Sequence, residues 1–438
     1  MGDPRAADSQ VPGSGTLQPW LAVNGSYDSY LDSPSGYSQS VYRSVNVSGG
    51  LSATKSFHRT SLIFGYGGSG SDYLGRSAGV QSDWRSSNVG ALAVSTQATR
   101  RLTLDLSEVG GAANGGFGAA AAGLQSGGLG VLGSMGVAGR FLFGGGAVPG
   151  GSTNGPDPLQ NNLVDADYYL QMSYFSSTSA NAGILLTNRT MLNFGGSASF
   201  VRRDGRGYSD ANSLNANATL STQLSRRFSV FLGYSFDKIE FVQSIGDTYI
   251  QGGFAGMRYR LAPHDEVSLS VNDSYVDTKF VTTIALPPDI AALLGVASIT
   301  SVNGSSRSYL GGRLSYTHSF QHGGFNIACN SMIAPGNDLI LLARSEGCTV
   351  SLSRSLTPRF SVTGIGGLRR LNGMSQAGSR YDIANGGLVF AYRIFRGVSF
   401  TTGANYRAAE IKPSSQQTTD VVATAGLYWS PREGVHIF

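Results

Sequence analysis

Every second residue is apolar in segment after segment of this chain. From Leu214 to Leu224 one parity holds Leu214, Ala216, Ala218, Leu220 and Leu224, while the other holds Asn215, Asn217, Thr219, Ser221 and Gln223. The pattern restarts after Ser225-Arg226-Arg227 with Phe228, Val230, Leu232, Tyr234 and Phe236. It returns near the end with Val398, Phe400, Thr402, Ala404 and Tyr406. Successive side chains on a strand point to opposite faces, so such a segment meets an apolar medium on one side and a polar one on the other. Strands in soluble proteins average about five or six residues. These runs last about ten to fourteen, the length a tilted strand needs to cross a bilayer.

The joints repeat too. Gln97 to Leu102, Leu186 to Thr190, Leu224 to Phe228 and Leu356 to Phe360 are variants of one tight reversal. Phe395-Arg396-Gly397-Val398, Leu261 to Glu266 and Phe320 to Gly324 play the same part. Each reads as a hairpin turn. The links between hairpins, such as 67–86, 110–165 and 280–304, are longer. Short turns at one end and long loops at the other mark an outer-membrane barrel. Strands are predicted near 19–31, 41–53, 57–67, 88–99, 101–109, 168–186, 190–202, 213–224, 227–240, 248–262, 266–279, 306–320, 324–334, 341–356, 359–371, 380–395, 397–410 and 419–430. That is about eighteen, within a range of 16 to 20, and even, as in single-chain bacterial barrels. The fold class predicted is all-β: one closed antiparallel transmembrane barrel with short periplasmic turns and long extracellular loops.

Composition removes the rivals. With 41% hydrophobic and 10% aromatic residues the chain is no disordered tail. No apolar run approaches the roughly 18 residues of a membrane helix, and two cysteines cannot staple a mini-protein. The 61 glycines disfavour long helices. The net charge of +5 rests on arginine, since Lys55, Lys238, Lys279 and Lys412 are the only lysines. The arginines are spread along the chain, which argues against a nucleic-acid partner. The first fifteen residues have no apolar centre, so no signal peptide is visible in the sequence given.

On these turns and this periodicity the chain resembles the bacterial outer-membrane β-barrel families, porin-like in general. It is similar to the Gly/Ser-rich barrels associated with exopolysaccharide export clusters, whose turns read Leu-Ser/Thr-x-Arg-Phe/Leu. The resemblance implies an outer-membrane location and a channel for hydrophilic solutes or exported polysaccharide. It further implies the barrel-assembly machinery, outer-membrane lipid and lipopolysaccharide, and periplasmic export components as partners. That family favours a terminal aromatic, here Phe438, with apolar residues at alternate positions before it. This chain has His436, Gly434 and Arg432 there, so the last strand either ends near Ser430 with a short tail or carries a bulge. The organisation expected is a periplasmic tail over 1–18, the barrel over 19–430 and an end segment over 431–438.

The outward parity should be Val, Leu, Ala, Phe and Tyr, and the inward parity Ser, Thr, Asn, Gly and Arg. Trp20, Tyr27, Tyr30, Tyr234, Tyr316, Tyr392, Tyr406 and Trp429 are expected in interfacial girdles. Arg258, Arg260, Arg313, Arg369, Arg393 and Arg407 fall on the lumen parity. They either brace the wall against lumen carboxylates or form a basic strip for anionic or sugar-like solutes. Asp105, Asp237 and Glu240 are the candidate lumen acids. The low-charge insert 110–165 reads as a lumen plug, a mobile loop or a partner-binding surface. Loop 281–304 is expected to carry a short helix around Pro287 to Leu294.

Cys329 and Cys348 share the lipid-side parity of adjacent strands. They form a cross-strand disulfide if the register sets them opposite one another. A tighter turn sets Cys329 against Arg344 and leaves both thiols free. The histidines sit mostly in turns, and His264-Asp265-Glu266 is a hairpin tip, so no catalytic residue, metal or cofactor site is expected. The functional expectation is a channel with a polar, Arg-lined lumen. A plugged barrel serving as scaffold or assembly partner is the alternative, and an outer-membrane enzyme is disfavoured.

Overall fold

The computed structural model describes residues 15–31, 40–74, 85–114, 172–203, 210–241, 246–285, 298–335, 342–374, 380–412, 416–431 and 435–436. The first five strands are β1 (Gly15–Leu31), β2 (Ser40–Ser56), β3 (Thr60–Leu74), β4 (Arg85–Gln97) and β5 (Leu102–Asn114). Next come β6 (Met172–Thr187), β7 (Thr190–Arg203), β8 (Ala211–Gln223), β9 (Phe228–Phe241) and β10 (Gly246–Ala262). β11 (Asp265–Ala285) and β12 (Ser298–Phe320) are the longest, and β13 (Gly323–Pro335), β14 (Leu342–Thr357) and β15 (Phe360–Gly373) follow. The wall ends with β16 (Arg380–Phe395), β17 (Val398–Lys412), β18 (Gln416–Trp429) and the two-residue β19 (Val435–His436).

From β1 to β18 each strand pairs antiparallel with the next in sequence, and β1 returns to β18 from Leu21↔Trp429 to Leu31↔Thr419. The result is a closed eighteen-strand barrel. β18 stops before Pro431, whose missing N–H interrupts the ladder. The chain then pairs again with β1 through Thr16↔His436 and Leu17↔Val435. Gln18 Nε2 donates to Ser430 Oγ (3.0 Å), and Ser430 Oγ donates to the Pro19 carbonyl (3.2 Å), bridging the interruption.

Three predicted loops are shorter than expected. β11 and β12 pair residue for residue from Val281↔Val302 to Ala285↔Ser298, so the arms of 281–304 are strand. The β-branched run Val281-Thr282-Thr283-Ile284 favours that state. Likewise 67–74 and 110–114 continue β3 and β5. The expected helix near 287–294, the plug reading of 115–165 and the terminal Phe438 lie outside the described residues.

Four of the eight short turns share one device. The N–H groups of Arg189 and Thr190 both donate to Thr187 Oγ1 (3.2 and 3.0 Å), and Thr99, Ser225 and Thr357 serve the same positions in their turns. A hydroxyl at that position satisfies two turn donors, which is why Ser or Thr recurs there. Gly397 takes a positive φ of 81° in the β16–β17 turn, a conformation glycine adopts without strain.

The outside is apolar. Leu21, Val23 and Tyr27 are exposed on one parity of β1, and pairing carries that face round the ring to Leu232, Leu310, Leu368, Leu427 and Trp429. Tyr27, Tyr174, Tyr275 and Tyr406 stand toward the loop end, while Tyr259, Phe320, Tyr392 and Trp429 stand toward the turn end. Exposed hydrocarbon on this scale is stable only in lipid, where a closed ring pairs the backbone groups of its wall. The fold is a transmembrane β-barrel.

Trp20 departs from the expected girdle. It lies on the inward parity, only 5% exposed, with its ring over Gly50, where an added Cβ would fall 2.7 Å from it. The expected all-polar inward face also needs correction. Ile239, Ile250 and Val276 form a buried inward cluster, with Phe241 and Tyr309 packed against it. Leu371, Tyr381, Ile383 and Ala409 form another with Ala343. Both lie toward the loop ends of their strands, where apolar side chains on neighbouring strands cover one another.

Candidate functional site

The inner wall is the candidate site. Its middle is polar: Ser26 and Ser44, Ser69 and Ser87, Ser107 and Ser179, and Ser199 and Ser213 make cross-strand hydroxyl pairs at 2.5 to 2.7 Å. Between them planar side chains lie against glycines on the adjacent strand. Asn24 faces Gly426, Asn217 faces Gly195, Asn385 faces Gly367 and Asn405 faces Gly387, each amide occupying space a Cβ would need. Phe254 and Phe231 cover Gly233 and Gly256 in the same way. Such notches let large planar groups lie flat, leaving width inside the ring.

The six predicted lumen arginines all lie on the inward parity, but they do not form one strip. Arg258 and Arg260 sit near the turn end of β10 and share Glu266, at 3.1 and 3.8 Å. Arg393 is near the turn end of β16, opposite Ser399. Arg369 Nε donates to Ser345 Oγ (3.0 Å), and Arg407 faces Asp420 directly across the β17–β18 ladder. Arg313 lies at mid-wall between Ser270 and Asn330, with no ion pair among the described residues.

The acids divide. Asp105 is inward, across from Ser95 and Asn181. Asp237 is inward and buried, and accepts from Asn215 Nδ2 (2.6 Å), while Asn215 Oδ1 accepts from Asn217 Nδ2 (3.1 Å). Glu240 is a correction: it lies on the outward parity of β9 and pairs with Lys238. The alternation in β9 breaks down over Asp237-Lys238-Ile239-Glu240, where charged residues face out and an isoleucine faces in.

Cys329 and Cys348 stand directly across the β13–β14 ladder on the outward face, joined as a disulfide. Outside the wall, His318 Nδ1 lies 2.6 Å from Asp265 Oδ1, which also accepts from the Tyr316 hydroxyl (2.7 Å). No three metal-ligating side chains converge among the described residues. Sequence reasoning missed the glycine notches and the inward apolar clusters. Their only signal is Asn or Phe at the inward parity opposite Gly, which becomes visible once the register is known.

No family model matches the chain, and no curated protein sequence matches it. Among solved structures it is similar to OccAB4 of Acinetobacter baumannii, at 9% identity and a TM-score of 0.43, over 98% of this chain and 99% of that one. It is also similar to the FrpB iron transporter of Neisseria meningitidis, at 9% identity and a TM-score of 0.47. The ferric yersiniabactin uptake receptor FyuA of Yersinia pestis matches at 11% identity and a TM-score of 0.43. The chain spans 63% of the length of each of these last two. The likeness is one of barrel architecture.

Proposed function

We propose that the chain is an outer-membrane channel passing hydrophilic solutes through its polar lumen. One observation carries the reading: Ile365 faces inward on β15 and is 51% exposed, so solvent reaches the wall at that height. The exposed inward amides Asn385 and Asn405 support it. An eighteen-strand ring is too wide for side chains alone to fill. Arg313 and its neighbours would favour anionic or sugar-like solutes, since a guanidinium fork suits carboxylates and vicinal hydroxyls. The resemblance to barrels of exopolysaccharide export clusters adds exported polysaccharide as a solute. It also adds periplasmic export components, the barrel-assembly machinery and lipopolysaccharide as partners. Planar-bilayer recording of the folded protein tests the reading. Ohmic single-channel steps are the expected result, and their absence in correctly folded barrels overturns it.

The second reading, a plugged barrel acting as scaffold, draws on the buried inward cluster of Ile239, Ile250 and Val276. Its burial keeps those side chains from lumen water, as contact with a plug would. Folded barrels that never conduct would favour it.

A further inference from the structure

Eight short turns close the described hairpins, and their charge is of one sign. Six carry arginine: Arg59, Arg100 with Arg101, Arg189, Arg226 with Arg227, Arg359 and Arg396. The other two carry His264 and His322. No Asp or Glu lies between the strand ends in any of the eight. The turn arginines are all exposed, and none has an ion pair among the described residues. The acids that begin β11 are engaged elsewhere, Asp265 with His318 and Tyr316 and Glu266 with Arg258 and Arg260.

The opposite end of the outer face is built differently. There the charges are mixed and paired: Arg344 with Glu346 (2.8 Å), Arg370 with Asp382 (2.8 Å) and Lys412 with Glu410 (3.5 Å). A purely basic rim at the turn end is therefore not a general habit of this surface. It asks for anions from outside the chain.

The depth of the rim says which anions. Large exposed apolar side chains stand within three residues of the arginines: Phe57 by Arg59, Leu186 by Arg189, Leu224 by Arg226, Leu356 by Arg359 and Phe395 by Arg396. Each guanidinium thus sits at the edge of the hydrocarbon-facing wall, the level of lipid phosphates. Because arginine recurs in six turns around the ring, the partner must surround the barrel, as a lipid leaflet does. We propose that this rim seats anionic phospholipid headgroups of the leaflet at the turn end, each guanidinium fork taking phosphate oxygens. The inference is independent of whether the barrel conducts.

The test compares the wild type with the sextuple variant R59Q/R101Q/R189Q/R227Q/R359Q/R396Q and with the single variants R189Q and R359Q, which keep it alive if the sextuple variant fails to fold. Each is folded into phosphatidylethanolamine nanodiscs with and without phosphatidylglycerol. The lipid retained on mild extraction is measured by native mass spectrometry, and heat-modifiable gel mobility confirms folding. The wild type should retain phosphatidylglycerol preferentially, falling about fivefold per arginine removed, and weakening with salt. Matching Arg→Lys variants should retain a preference through charge alone. Equal retention in wild type and variants overturns the proposal, as does indifference of the wild type to phosphatidylglycerol. If millimolar inorganic phosphate displaces the lipid fully, the rim is a generic anion site and the lipid assignment fails. If soluble polyglutamate binds the rim while lipid composition has no effect, the surface belongs to an acidic protein and the proposal fails.

Discussion

Oδ1 of Asn405 occupies the space that a side chain on Gly387, its cross-strand partner, would need: an added Cβ would lie 2.0 Å away. The obstacle is the tip of a side chain that can turn into the lumen. At Gly252 it is backbone, with the Asp273 carbonyl oxygen 2.3 Å from an added Cβ. Gly387→Ala should therefore cost under about 1 kcal/mol, while Gly252→Ala, which must shift a strand, should cost about 1–3 kcal/mol. Equilibrium urea unfolding in lipid vesicles gives the order. The reverse order would refute the notch description.

Thr187 satisfies two donors of the β6–β7 turn. Thr187→Val keeps the shape and removes the acceptor, so the unfolding free energy should fall by about 1 kcal/mol. Ser225→Ala should behave alike in its own turn. Unchanged urea midpoints in both variants would mean that water replaces the hydroxyl at no cost.

Glu266 pairs with both Arg258 and Arg260 near the turn-end mouth and offsets one of their two positive charges. If the lumen conducts, Glu266→Gln should shift the reversal potential in a KCl gradient toward chloride, and Arg313→Gln should shift it toward potassium. Both shifts should shrink as salt rises. Identical reversal potentials in wild type and both variants would remove these residues from ion selection.

The Cys329–Cys348 bridge closes a loop whose ends are 19 residues apart. Its removal by Cys329→Ser with Cys348→Ser should lower the unfolding free energy by about 3 kcal/mol on the chain-entropy account. Reductant should lower the wild-type thermal midpoint, read by gel mobility, and leave the double variant unmoved. A wild-type midpoint indifferent to reductant would show that the bridge contributes nothing.

The strand count was legible because period two and the Leu-Ser/Thr turns are local signals, and each of the eighteen predicted segments overlaps a strand. Which way a residue faces was legible where alternation is clean, as from Leu214 to Leu220, and failed where it is not. Trp20 was assigned outward from its type, yet its parity places it over Gly50. Glu240 counts among the candidate lumen acids in the sequence, yet its parity sets it on the outer face, where Lys238 two residues away partners it. Both errors occur toward strand ends, where position relative to the hydrocarbon overrides residue type. The turn arginines were each in view, but their common sign becomes a surface only when the ring closes and brings the turns to one rim.

That closure rests on the ladder that begins at Leu21 and Trp429. It unites the most sequence-distant neighbours in the wall, so its entropy cost cannot be met piecemeal as each hairpin forms. Until it forms, two long edges carry N–H and C=O groups that lipid cannot satisfy. An unsealed barrel would accept any available strand, including one from another copy. The seam is thus the place where assembly commits, and where strand-swapped dimers would arise if sealing were slow.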